Sequence, residues 1–167
     1  MRFLKFTLCF FFMISGFSLS QASGQMFMEE SPLIGKAAKD FTLDTLSTKD
    51  VNMTKFRGDQ SAIVFFWATW CPHCREQLSS LNANRGQIES QGIKIILVDL
   101  GESADQVRAY LDKNRIGLEV FLDQDQSLAE DYALVGVPTL IFIDKKGFTR
   151  AVEHHLPDNY QEILSRN

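Results

Sequence analysis

Three short apolar runs constrain the fold more than any other feature of this chain. Residues 62–67 (A-I-V-F-F-W), 94–99 (K-I-I-L-V-D) and 139–144 (T-L-I-F-I-D) are rich in β-branched and aromatic residues and scarcely alternate. Strands of that kind are buried on both faces, which requires helices on either side of the sheet. The segments between them supply those helices. Leu78, Leu81 and Ile88 recur at helical spacing, with Gly92 placed to end one helix. Ser103 and Gln106 form a capping box ahead of Val107 and Leu111, and Ser127 with Glu130 form another ahead of a short helix. Residues 120–122 are a short strand, and Lys145-Lys146-Gly147 turns 139–144 into a partner strand over 148–152. A last helix carries Ile163 and Leu164. The order indicates an α/β fold with a central mixed β-sheet flanked by helices.

The N-terminal residues 1–23 differ in composition from the rest. Arg2 and Lys5 precede an almost uncharged, phenylalanine-rich run over 6–19, and Ser20, Ala22, Ser23 and Gly24 follow. Positive start, short apolar stretch and small residues make a secretory signal, or an anchor if it is retained. Cys9 lies inside that run as a small hydrophobe, with too few residues before it for a lipid-attachment signal. Residues 24–32 read as a mobile lead, and 33–167 as one domain without linker or repeat. The expected location is the periplasm or cell envelope, an oxidising setting in which two of the three cysteines remain. Membrane contact is expected only through residues 6–19. A net charge of −4, more negative without Arg2 and Lys5, gives no sign of the basic face that nucleic acid requires, and no nucleic-acid partner is expected.

The two remaining cysteines stand in Trp70-Cys71-Pro72-His73-Cys74, directly after a buried strand and at a helix start. Their spacing makes Cys71–Cys74 a redox-active disulfide pair. The first sulfur is expected to be exposed at the helix N-terminus, where partial positive charge favours a thiolate. The second lies one turn further in, placed to resolve a mixed disulfide. Pro72 suits the first helical position, where its missing N–H costs nothing. His73 can tune Cys71 by donating a hydrogen bond or, when protonated, a charge. Zinc would need two further ligands from His73, His154 and His155, and His73 lies between the cysteines; no metal is expected. His154 and His155 read as solvent-exposed. A Cys–His hydrolase lacks a separately oriented base. Pro138, directly before a strand, reads on its own as either an edge or a turn residue.

With these residues in place the chain resembles the thioredoxin superfamily, in particular the exported TlpA/ResA-like, redoxin-type thiol–disulfide oxidoreductases. The resemblance runs from about Leu33 to Leu164. It rests on Gly35 to Leu43 (G-K-A-A-K-D-F-T-L), Phe66 to Cys74 (F-W-A-T-W-C-P-H-C), Gly101-Glu102-Ser103, and Gly136-Val137-Pro138-Thr139. It implies the thioredoxin-like fold with the helix–strand insertion of this group, begun by Gly101-Glu102-Ser103. It also implies a cis Pro138 opposite the cysteines and a docking surface formed by Trp70, Val137, Pro138 and Thr139. Recognition would resemble strand addition to an extended peptide.

The expected partners are dithiols or disulfides of envelope proteins and a thiol-redox partner that recycles the pair. No cofactor beyond the cysteines is expected, and the expected state is a monomer. Gln77 stands where cytochrome c maturation relatives carry a glutamate, with Glu76 beside it, and Ser79 replaces a proline. Phe65 stands where thioredoxin carries a buried aspartate, while Pro72-His73 is the pair seen in strongly oxidising relatives. Those departures leave oxidant and reductant both open, cytochrome c maturation included. Two other activities compete with exchange. Peroxiredoxins share the Gly35–Leu43 entry, but their peroxide-binding threonine and proline are Ala68 and Val64 here. Copper-handling modules of this fold place three residues between their cysteines, and this chain places two.

Overall fold

The computed structural model describes residues 31–165, so the signal and the start of the lead, Cys9 included, lie outside the described residues. A small antiparallel pair, β1 (Thr42–Leu43) and β2 (Val51–Asn52), comes first, followed by the short helix α1 (Met53–Arg57). These three elements are too short to carry a strong periodicity in the sequence. Asn52 caps α1, its side chain accepting from the Lys55 amide.

The chain then enters β3 (Ser61–Trp67), α2 (Pro72–Ala83), α3 (Arg85–Ser90) and β4 (Ile93–Leu100). It continues through α4 (Ala104–Asn114), β5 (Val120–Asp123), α5 (Leu128–Asp131), β6 (Thr139–Ile143), β7 (Thr149–Glu153) and α6 (Tyr160–Ser165). The main sheet has the order β5-β4-β3-β6-β7. The β3–β4 and β4–β5 pairs are parallel, while β6 and β7 run antiparallel to their neighbours, which gives the expected mixed sheet.

Burial explains why β3 lies at the centre. All seven of its residues are buried, and alternate side chains point to opposite faces. Ile63, Phe65 and Trp67 pack with Leu78 and Leu81 of α2, Val107 and Leu111 of α4, and Ile163 and Leu164 of α6. Ala62, Val64 and Phe66 face the other way, onto Phe41, Met53, Phe121 and Tyr132. Each fully buried large apolar side chain contributes about 1.5–3 kcal/mol, so this double-sided strand is the strongest element of the sheet.

Two local expectations are corrected. The single helix expected to run to Gly92 breaks at Asn84, whose amide and side-chain Nδ2 both donate to the Ser80 carbonyl (3.0 and 2.9 Å). A side chain that competes for helix carbonyls ends the run, and α3 restarts beyond it. The Ser127–Glu130 capping box does not form, because Ser127 is itself helical and makes no side-chain cap. Asp123 takes that role: its carboxylate accepts from the amides of Ser127 (3.0 Å) and Leu128 (3.1 Å). An ionised acceptor outcompetes a hydroxyl for free amides. The Ser103–Gln106 box forms as expected at the start of α4.

Candidate active site

The site lies where the central strand β3 ends, between β4 and β6. Ala68 is buried, Thr69 is half-buried and Trp70 is 66% exposed, so the chain climbs to the surface over three residues before α2 begins. Cys71 is the N-cap of α2 in extended conformation, and Pro72 occupies the first turn. Cys71 and Cys74 are joined by a disulfide, their Cα atoms 5.2 Å apart. The Cys74 amide donates to Cys71 Sγ over 3.1 Å, so the first sulfur receives one of the amide hydrogens left free at a helix start.

Exposure of the first sulfur is a correction. Cys71 is 5% exposed and Cys74 fully buried, both within the core cluster of α2 and α4. The cover comes from across the site, where the Val137 carbonyl oxygen lies 3.7 Å from Cys71 Sγ. A peptide bond in the cis form joins Val137 and Pro138, and both residues are half-buried. Access to Cys71 therefore runs along the rim formed by Trp70 and the loop before β6. In that loop Val135 is 97% exposed.

Thr139 does not present its side chain to a docking partner. It is 2% exposed, and its Oγ1 donates to the Gly136 carbonyl (2.7 Å), which holds the loop from within. His73 lies on the solvent side of the helix start. Its side chain is 82% exposed, and Nδ1 lies 3.7 Å from a Glu76 carboxylate oxygen one turn along α2. Any influence on Cys71 is exerted through solvent and not through a direct hydrogen bond.

The departures from family residues acquire structural explanations. Phe65 is fully buried in the same apolar cluster as the two cysteines. The Gln77 side-chain oxygen accepts the Leu156 amide (2.8 Å), tying the segment after β7 to α2. His154, read as merely exposed, is exposed but has Nδ1 2.8 Å from the Pro138 carbonyl oxygen, so it braces the loop from outside. Ala68 and Val64 are fully buried and bring no polar group to the sulfurs.

Two acidic residues beside the site read in the sequence only as parts of a strand and of a motif. Glu102 is 7% exposed and grips Thr69, accepting its amide at Oε2 (2.5 Å) and its hydroxyl at Oε1 (2.6 Å). Asp99 is fully buried at the end of β4, where Oδ1 accepts the Glu102 amide (3.1 Å). Burial, then hydrogen bonding and charge from Glu102, push the Asp99 carboxyl up to about 8. The available signal was an acid ending an apolar strand with a second acid three residues later.

Comparison with known proteins agrees with this geometry. Residues 34–152 match the AhpC/TSA family. The thiol-disulfide oxidoreductase ResA of Bacillus thuringiensis is 29% identical over 132 residues, spanning 79% of this chain and 75% of the relative. ResA of Bacillus subtilis is 27% identical over 119 residues, 71% of this chain and 66% of the relative. Among solved structures, StoA from Bacillus subtilis superposes with a TM-score of 0.62 at 21% identity, covering 75% of this chain and 95% of that one. The thioredoxin domain of a thiol-disulfide oxidoreductase from Bacteroides vulgatus gives 0.68 at 23% identity, covering 78% and 94%. These structural neighbours establish the thioredoxin-like fold.

Proposed function

The chain belongs to the AhpC/TSA family and is a thiol–disulfide oxidoreductase, and we propose that it is exported and exchanges disulfides and dithiols of envelope proteins through Cys71 and Cys74. The observation that carries the reading is the disulfide at the N-terminus of α2, with Cys71 as helix cap and Cys74 buried behind it. A sulfur at that position is favoured as thiolate by the helix dipole and by the Cys74 amide.

In the reductive direction, the Cys71 thiolate attacks one sulfur of a substrate disulfide. A mixed disulfide forms, and the other substrate sulfur leaves as thiolate. Cys74, deprotonated, then attacks Cys71 Sγ, re-forming the Cys71–Cys74 bond and releasing the second substrate thiolate. Two electrons pass to the substrate and two protons end on its thiols. Run backwards, the same steps oxidise a dithiol, and a thiol-redox partner restores the starting state in either case.

Val137 and Pro138 supply backbone groups along which an extended substrate can lie, with Trp70 as the apolar wall. Pro72 starts α2 without wasting an amide, and Thr139 acts by holding the loop. Export rests on the leader over residues 1–23. Among the described residues no helix is long and apolar enough to cross a membrane.

The test is the reduction potential of the Cys71–Cys74 pair, measured against glutathione or dithiothreitol buffers, together with insulin reduction by Cys71→Ser. A potential between about −120 and −270 mV, the span from strong oxidants to strong reductants of this fold, fits exchange and assigns its direction. Retained insulin activity in Cys71→Ser would overturn the reading.

A further inference from the structure

Asp99 and Glu102 lie together where charge is costly. Asp99 shares the sheet face of Ile95 and Leu97, and its register partners are Trp67 on β3 and Leu122 on β5. Its Oδ2 and the Trp67 indole Nε1 are both buried and have no hydrogen-bond partner among the described residues. Glu102, three residues on, has a buried side chain whose two oxygens are both committed to Thr69. Among the described residues neither carboxyl forms an ion pair with a lysine or arginine.

Two adjacent carboxyls in such a place cannot both be ionised cheaply, so one keeps a proton. The geometry decides which. Glu102 accepts at both oxygens from Thr69. Asp99 has the free oxygen, Oδ2, and so can carry a hydrogen. Of the surrounding groups, Asp123 reinforces this. Asp123 on β5 adds further negative charge, while Tyr110 of α4 packs its ring on Trp67, and Arg75 of α2 acts on Tyr110.

Thr69 lies two residues before Cys71, on the turn that delivers the nucleophile to the N-cap of α2. We propose that Asp99 and Glu102 are positioning residues that share one proton, held on Asp99, and so keep Glu102 clamped on Thr69 and the approach to Cys71 in place. Loss of that proton sets two like charges side by side, drives Glu102 outward and frees Thr69. The pair stands in a chain that has Phe65 and Gln77 where relatives place carboxylates, and Glu102 bonds directly to the turn before the dithiol. The inference rests on Cys71 being the attacking sulfur, as proposed above.

The oxidised protein separates the two claims, because its cysteines do not titrate. Side-chain carboxyl carbons and the Thr69 amide are followed by NMR from pH 5 to 9.5. The expected result is that the Asp99 carboxyl and the Thr69 amide titrate together, well above the ordinary carboxyl range. Asp99→Asn should abolish both and leave the Thr69 amide where it lies at low pH. In the reduced protein, iodoacetamide labelling at pH 7 should be at least about threefold slower at Cys71 in Asp99→Ala than in wild type, with Asp99→Asn restoring the rate. A Thr69 amide that does not titrate, or titrates unchanged in Asp99→Asn, would overturn the shared proton. Equal labelling of Cys71 in all three proteins would overturn the positioning role. Normal titration with preferential labelling of Cys74 would leave the pair intact and instead refute Cys71 as nucleophile.

Discussion

Replacing Asp144 with Asn tests how the far end of the sheet holds the strand that follows the active-site loop. Asp144 follows β6 and is 4% exposed. Its Oδ1 accepts the Phe148 amide (2.9 Å), and its Oδ2 accepts from Arg150 at Nε (2.7 Å) and Nη2 (2.6 Å). Burial alone would raise this carboxyl, but the Phe148 amide and the Arg150 guanidinium outweigh it and hold it below its ordinary value of 3.8. Asparagine keeps one acceptor for Phe148 and loses the charge that Arg150 meets. A hydrogen bond to a charged group is worth about 1.5–3 kcal/mol, and partial exposure of the Arg150 side chain, 22%, screens it, so the expected loss is about 2 kcal/mol. For a domain of this size that lowers Tm by roughly 6–10 °C. A depressed carboxyl contributes stability that is complete above its unfolded value and lost as pH falls through the lower folded one. Urea titrations of the oxidised proteins should therefore show the full gap at pH 7 and a shrinking gap below pH 4. A gap of the same size at both pH values, or none at pH 7, would refute the reasoning.

Other consequences follow from the site itself. Gln77→Ala leaves the Leu156 amide without its acceptor and should cost about 1 kcal/mol in urea melts, while Gln77→Glu, which keeps the acceptor, should stay within about 0.5 kcal/mol of wild type. Trp70→Ala removes the exposed apolar wall, so KM for a protein disulfide should rise about tenfold with little change toward a small disulfide such as oxidised glutathione. His73→Ala should make the potential more negative, but only on the order of 10–20 mV, because the ring faces solvent and Glu76. A shift several times larger would show that the ring reaches Cys71 in the reduced state.

The sheet was legible because its strands are continuous apolar runs that nothing but double-sided burial accommodates. Residues 62–67, 94–99 and 139–144 emerge as β3, β4 and β6 within one residue at each end. The dithiol was legible because C-x-x-C after such a run has one natural geometry, the start of a helix. What escaped depended on contacts distant in sequence. The β1–β2 pair and α1 are too short for periodicity to register. Cys71 is covered by Val137, a residue 66 positions away, which its own neighbours could not reveal. Ser127 is a local exception, having lost its cap to Asp123 four residues earlier, whose carboxylate takes the amides of Ser127 and Leu128. Gln77 looked like a missing carboxylate until Leu156 supplied its partner. The acid pair was hidden in the same way, since nothing local in Asp99 shows that Glu102 is turned toward Thr69.

Trapping the mixed disulfide tests the central claim most directly. With Cys74 replaced by serine, the resolving sulfur is gone while the helix cap and Cys71 remain. Mixed with a disulfide-bearing substrate protein, Cys74→Ser should accumulate a covalent complex that dithiothreitol releases, and mass spectrometry should place the bond at Cys71. Cys71→Ser, mixed with the same substrate, should accumulate none. A complex joined through Cys74 in Cys71→Ser, formed as fast as the one through Cys71, would contradict the assignment of the two sulfurs.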